Sequence, residues 1–331
     1  MAGDFLSRIK QSPVLCDGAM GTLLYSNGIF INRSYDELNL SQPDMIRGIH
    51  HDYLQAGADI IETNTFGANS FRLARHSLAD KVQDINRAGV KLAREAAKSF
   101  DVWVAGSVGP LGTRIEPLGK TSFAEAREAF REQIATLREA GVDLLILETF
   151  GYLEEIHQAM LAAKDVGGSL PLVAQVTIDE DGNCLDGSDP NTFVSKLEEW
   201  GADVIGCNCS VGPVAMLDAM EKVRAATSLP IAAQPNAGIP RSVEGRNIYL
   251  CSPEYMASYA RKFVAAGVRL VGGCCGTTPE HIRVMKSALR VGEARGKAAA
   301  AHVTGGHPMP QAIPTMPLAE RSRVGEKLAH G

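Results

Sequence analysis

Eight short apolar runs rich in β-branched residues, beginning near Val14, Ile60, Trp103, Leu144, Leu172, Val204, Ile231 and Leu270, alternate along this chain with longer segments of helical period. Such alternation predicts parallel strands joined by crossover helices. The joints repeat. Ala56-Gly57-Ala58-Asp59, Ala140-Gly141-Val142-Asp143, Trp200-Gly201-Ala202-Asp203 and Ala266-Gly267-Val268-Arg269 each place glycine where a helix must stop before a strand. Glycine is the low-cost residue for the left-handed position that ends a helix. Two odd-numbered strands are near copies, Ser169-Leu170-Pro171-Leu172-Val173-Ala174-Gln175 and Ser228-Leu229-Pro230-Ile231-Ala232-Ala233-Gln234, so the architecture is a repeated one. Eight such units in one domain predict an α/β fold, a (β/α)8 TIM barrel rather than an open doubly wound sheet.

Helix starts agree with these boundaries. Asp189-Pro190, Ser252-Pro253 and Thr278-Pro279 put a capping side chain before proline, and Ser122 with Glu125 forms a capping box. After about Arg290 the pattern fails, and residues 294–318 are rich in Ala, Gly and Pro without apolar periodicity. The expected organisation is therefore a barrel over residues 1–293 and a linker-like or disordered tail over 294–331, with a larger parent protein plausible.

The formal charge of −5 and the lack of any Lys/Arg-rich stretch argue against a nucleic-acid or anionic-membrane surface and favour small-molecule chemistry. No apolar run is long enough to span a bilayer, and residues 1–10 do not form a secretory signal. A cytoplasmic protein is expected. Seven cysteines without an export signal speak against a disulfide framework and for metal binding or reactive thiols.

The unusual polar and glycine clusters fall where strands end, the face on which this fold builds active sites. Cys274 and Cys275 lie side by side among Gly272, Gly273 and Gly276, and Cys207 and Cys209 follow the sixth strand. Adjacent strand residues point to opposite faces, so the pair can share the barrel mouth only if the backbone departs from extended geometry there, which the glycines permit. These residues suggest a three-thiolate zinc site with an open fourth position, one zinc per chain. Cys207, nearer the strand body, is the expected third ligand. Cys209 is its competitor, and a closed four-ligand site or a vicinal disulfide are the alternatives. Three thiolates offset much of the metal charge, so such a site activates water poorly and suits a thiol substrate that it deprotonates and keeps nucleophilic. Sulfur alkylation is the chemistry to infer. Asp17 and Glu148, carboxylates at the mouth without an obvious basic partner in sequence, are the candidate catalytic residues and suit an ammonium group. The turn at Gly18, Ala19 and Met20 offers amides to a carboxylate. Thr63, Asn64 and Asn236 are further candidates for orienting such a substrate, an amino acid with a thiol side chain.

These motifs, Asp17-Gly18-Ala19-Met20-Gly21-Thr22, Glu62-Thr63-Asn64-Thr65-Phe66, Glu148-Thr149, Gly206-Cys207-Asn208-Cys209 and Gly272-Gly273-Cys274-Cys275-Gly276, closely resemble the zinc-dependent homocysteine S-methyltransferase family over roughly residues 10–290. The resemblance is strongest to the homocysteine-binding barrel of cobalamin-dependent methionine synthases and to the methyltransferase half of fusions with methylenetetrahydrofolate reductase. It implies that Cys207, Cys274 and Cys275 bind zinc, that homocysteine supplies the fourth ligand, and that Glu148 and Asp17 hold its amino group. It leaves the methyl donor open between methylcobalamin on another module, S-methylmethionine, S-adenosylmethionine and a betaine-like donor. It also leaves open whether the chain acts alone or as a zinc- and homocysteine-binding module of a larger protein, competent only with a separate or fused methyl-donor domain.

Overall fold

The computed structural model describes residues 4–30, 32–243 and 246–302, with side chains placed except at 242–243, 246–247 and 291–302. Eight parallel strands make the barrel: β1 (Val14–Leu15), β2 (Ile60–Glu62), β3 (Trp103–Val108), β4 (Leu144–Phe150), β5 (Leu172–Val176), β6 (Val204–Asn208), β7 (Ile231–Gln234) and, after a small hairpin β8 (Arg241–Val243) and β9 (Arg246–Ile248), β10 (Val268–Val271). The order is β1-β10-β7-β6-β5-β4-β3-β2. A parallel bridge between Cys16 and Ile60 joins the two ends of that order, supported by Asp17 N donating to Ile60 O at 3.0 Å and Asp59 N to Leu15 O at 2.7 Å. Seven strands begin where the apolar runs predict, and the last begins slightly earlier, at Val268.

Alternation along the strands separates two apolar layers. Val14, Ile60, Ala105, Leu144, Ile146, Val173, Val204, Ala232 and Leu270 fill the barrel, and the short helix Phe5–Gln11 adds Phe5 and Ile9 to that interior. Phe5 meets Trp103, the first residue of β3, edge-on at 5.8 Å between ring centroids. Leu15, Ile61, Val104, Leu145, Ala174, Ile205, Ala233 and Val271 point the other way, into the surrounding helices.

The four joint glycines are left-handed, with φ of 99°, 93°, 96° and 93° at Gly57, Gly141, Gly201 and Gly267. Three joints carry an aspartate that does more than turn the chain. Asp59 Oδ2 accepts Leu15 N at 2.9 Å, Asp143 Oδ2 accepts Val104 N at 2.7 Å and Asp203 Oδ2 accepts Leu172 N at 2.8 Å, so each joint is tied to the preceding strand. The capping box of Ser122 and Glu125 is present, and Asp189 and Ser252 cap their helices.

The chain divides into two units, Met1–Gly292 and Glu293–Gly331, and the barrel occupies the first. The C-terminal helix runs Pro279–His302. Residues 294–302, expected in the linker-like tail, are therefore helical. Their alanines propagate a helix without needing an apolar stripe, so the missing periodicity did not mark its end. The remainder of that expected tail, 303–331, lies outside the described residues. Among the described residues, no helix is long and apolar enough to cross a membrane.

Candidate active site

Cys209, Cys274 and Cys275 bring their sulfurs within 4.8 Å of one another at the C-terminal ends of β6 and β10. Successive carbonyls at the end of β7 hold both cysteine segments. Cys209 N donates to Gln234 O at 3.1 Å, and Cys274 N donates to Pro235 O at 2.8 Å. Ala237 N to Cys275 O and Gly273 N to Asp17 O complete the framework. Gly272 is required by crowding, since a Cβ there would stand 2.9 Å from Cys16 Cβ and 3.0 Å from Gln234 Cγ.

Cys209 Sγ and Cys275 Sγ are 3.8 Å apart. Tetrahedral zinc with Zn–S bonds of about 2.3 Å separates its sulfurs by about 3.8 Å, so this donor pair already has the spacing of a zinc site. The Cys275 thiol is pushed down to about 3 because Cys209 and then Cys274 donate S–H groups to it, with the Tyr249 phenol also contributing. Cys209, which accepts from Cys274 but donates to Cys275 in a buried setting, is pushed up to about 12, and Cys274 is raised well above the ordinary thiol value by donating to both neighbours. One thiolate held by two thiols is the state that a soft cation completes by displacing the two protons.

Cys207 does not join this group. It sits on β6 beside Val176 and Ala233, fully buried, in the layer that packs against the helices. The expectation of Cys207 as the third ligand is corrected by the backbone. After Asn208 the chain turns left-handed, with φ of 61° at Cys209 and 55° at Ser210, and this turn swings Cys209 to the sulfur pair. Such values are uncommon outside glycine and mark a constrained position.

Beside the sulfurs lie three carboxylates. Asp17, only 4% exposed, accepts Glu62 N at 3.0 Å on Oδ2. Glu148 accepts Ser107 Oγ at 2.5 Å and Asn208 Nδ2 at 3.3 Å, and it hydrogen-bonds the Glu62 side chain. Burial, then the neighbouring Glu62 charge, pushes both Asp17 and Glu148 well above the usual carboxylate range. Among the described residues no Lys or Arg pairs with any of the three. Asn208 also accepts Thr149 N at 2.7 Å, fixing the left-handed Thr149 (φ 64°) that follows Glu148.

At the Gly18–Met20 turn, the Ala19 amide donates to Thr277 Oγ1 at 3.1 Å and Tyr53 OH donates to Ala19 O at 2.8 Å. Thr63 Oγ1 lies 2.7 Å from Thr65 Oγ1 and accepts Ser107 N, while Asn64 Nδ2 donates to Tyr35 O and Asn39 Oδ1. These contacts of Thr63 and Asn64 brace loops. Asn236 is buried, and its Oδ1 has no hydrogen-bond partner among the described residues. Sequence reasoning did not single out Glu62, and it ranked Cys209 behind Cys207 as the third ligand. Glu62 was legible, because it stands two residues after Ile60 and shares its inward face. A cavity of about 970 Å³ opens beside the site, lined by Thr149, Tyr152, Glu155, Thr177, Leu185 and Ser210. Ser210 follows Cys209, and Thr149 follows Glu148.

Comparison with known proteins matches residues 14–289 to the family model described as homocysteine S-methyltransferase. The methionine synthase of Mycobacterium tuberculosis (strain ATCC 25618 / H37Rv) is 34% identical over 302 residues, and that of Mycobacterium leprae (strain TN) is 33% identical. Each alignment covers 86% of this chain and 25% of the relative, so the chain spans a quarter of their length. Among solved structures, the metallated form of the homocysteine methyltransferase MmuM from Escherichia coli superposes with a TM-score of 0.71 at 27% identity, covering 84% of this chain and 96% of that one.

Proposed function

The chain belongs to the homocysteine S-methyltransferase family, and on that premise we propose that it transfers a methyl group to the thiol of homocysteine, giving methionine, at a zinc ion held by Cys209, Cys274 and Cys275. The observation that carries this reading is the sulfur trio, with a pair at the tetrahedral spacing, beside buried carboxylates that have no Lys or Arg partner among the described residues. Bound zinc supplies Lewis acidity that holds the substrate sulfur as a thiolate near neutral pH while the three protein thiolates keep it electron-rich. The protein's own groups do the rest. Asp17 and Glu148 take the ammonium group of homocysteine. The Gly18 and Met20 amides face its carboxylate, the Ala19 amide being engaged by Thr277. Asn208 bonds both Glu148 and Thr149, fixing the wall between the ammonium site and the cavity. The donor methyl approaches through that cavity, in line with the bond to its leaving group, and positioning supplies the main part of the rate. Asn236, with its unpartnered Oδ1, is a candidate for the fourth metal position before substrate arrives. The working location is the cytoplasm.

A second reading has support of its own. Phe30, Leu118, Leu185, Ile239 and Leu250 are 50–71% exposed, and all lie in the connections after β1, β3, β5 and β7, around the barrel mouth. Apolar residues so placed suit a protein module that brings the methyl group. Turnover of a small soluble donor by this chain alone would exclude that dependence.

The test is the zinc content of freshly reduced protein. About one zinc per chain is expected for the wild type, with zinc and methyl transfer both lost in Cys209→Ala and both kept in Cys207→Ala. Zinc retained by the Cys209 variant, or lost from the Cys207 variant, overturns the ligand set.

A further inference from the structure

Glu62 stands between the two carboxylates assigned to the ammonium group. Its main-chain amide donates to Asp17 and its side chain bonds Glu148. We propose that Glu62 is the third carboxylate of the ammonium site and that Cys16 is the residue that positions it, a proposal that rests on this site being the homocysteine pocket.

An ammonium group has three N–H donors and no acceptor. Asp17, Glu62 and Glu148 offer it three acceptors at one place once the proton shared by the Glu62 and Glu148 side chains is released to solvent as the ammonium group enters. What holds Glu62 there is neutral. Its Oε1 accepts Gln234 Nε2 at 2.7 Å, and Gln234 is itself fixed by Gln175 Nε2 donating to Gln234 Oε1 at 2.5 Å. Cys16, fully buried at the end of β1, has its sulfur 3.3 Å from Glu62 Oε1 and 3.6 Å from Asp17 Oδ1. Burial and the adjacent Glu62 and Asp17 charges keep that thiol protonated, so it donates. Neutral donors satisfy carboxylate lone pairs without cancelling the charge. An arginine in their place would occupy the very site the substrate's cation needs. Gly272 gives Cys16 and Gln234 the room to approach.

The consequence is selectivity for a thiol that carries an amino group. Zinc-loaded protein is titrated calorimetrically with homocysteine and with 4-mercaptobutyrate, which has the same thiol and carboxylate but no amine. Wild type should prefer homocysteine. Glu62→Gln should weaken homocysteine binding roughly ten-fold or more while leaving 4-mercaptobutyrate within about two-fold, the cost of losing one charge-assisted hydrogen bond. Cys16→Ala should show the same selective loss in smaller measure, and Cys16→Ser should restore it, because a hydroxyl donates where a methyl cannot. Glu62→Asp, which keeps the charge but withdraws it by one methylene, reports the same selectivity if the glutamine variant does not fold. Equal losses for both thiols, or no loss for homocysteine, overturn the proposal. Wild-type protein that binds neither thiol overturns the homocysteine pocket itself, an outcome separate from any behaviour of the variants.

Discussion

At the scale of single residues, position on a strand and local backbone decide which of several similar side chains acts. Cys207 and Cys209 are two apart and share a parity, and parity alone sends both toward the helices. The left-handed turn at Cys209 and Ser210 separates them, and nothing in the residue types announced it. His50 shows a different residue-level effect. It is fully buried with neither ring nitrogen hydrogen-bonded among the described residues, and burial lowers it from 6.5 to about 4. A base depressed in the folded state contributes stability that is complete above pH 6.5 and is lost as pH falls toward 4. His50→Leu should therefore remove a loss of up to roughly 3 kcal/mol across that window. Urea denaturation at pH 7.5 and pH 4.5 checks it, and an unchanged pH dependence would refute the assignment. The sulfur trio gives the complementary expectation. With Cys275 ionised and Cys209 and Cys274 protonated, zinc binding near neutral pH should release about two protons and tighten as pH rises. Metal titration in two buffers of different ionisation enthalpy measures that release.

At the scale of elements, the strands were legible because an apolar run ending in a glycine joint has few other readings. The four left-handed glycines bear that out. The joint aspartates were visible as letters but not as links, since their partners are amides in the first two residues of strands some 30 to 45 residues earlier in the chain. Replacing Asp203 by alanine leaves the buried amide of Leu172 without its acceptor, a cost of about 1–3 kcal/mol. The capping box is a milder device, and Ser122→Ala should cost about 1 kcal/mol. Chemical denaturation of both variants should rank them in that order, and a larger loss at Ser122 would show that the joint contact is incidental. Helix termination in an alanine-rich stretch was the least legible boundary, because propensity there carries the helix on without an apolar period to mark its end.

At the scale of the whole molecule, the metal proposed at Cys209, Cys274 and Cys275 would tie together segments distant in sequence, so its removal should be felt by the barrel and not only by the chemistry. With free zinc at a thousand-fold excess over its dissociation constant, linkage predicts about 4 kcal/mol of added stability. A chelator should lower the unfolding midpoint of wild type and leave Cys209→Ala unmoved. The general architecture was open to sequence reasoning because an eight-fold pattern over-determines a barrel, while the carboxylate ring depends on contacts between β1, β2 and β4 that no local window contains. One feature of that architecture bears on timing. With Phe5 and Ile9 packed into the barrel interior at the starts of the strands, the described residues close that end, and the proposed zinc site is approached from the mouth. On the proposed function, homocysteine bound at the buried carboxylates would arrive before the methyl donor, and methionine would leave after the spent donor. A chamber entered at one end would impose a queue, last in and first out, on the reaction proposed for it.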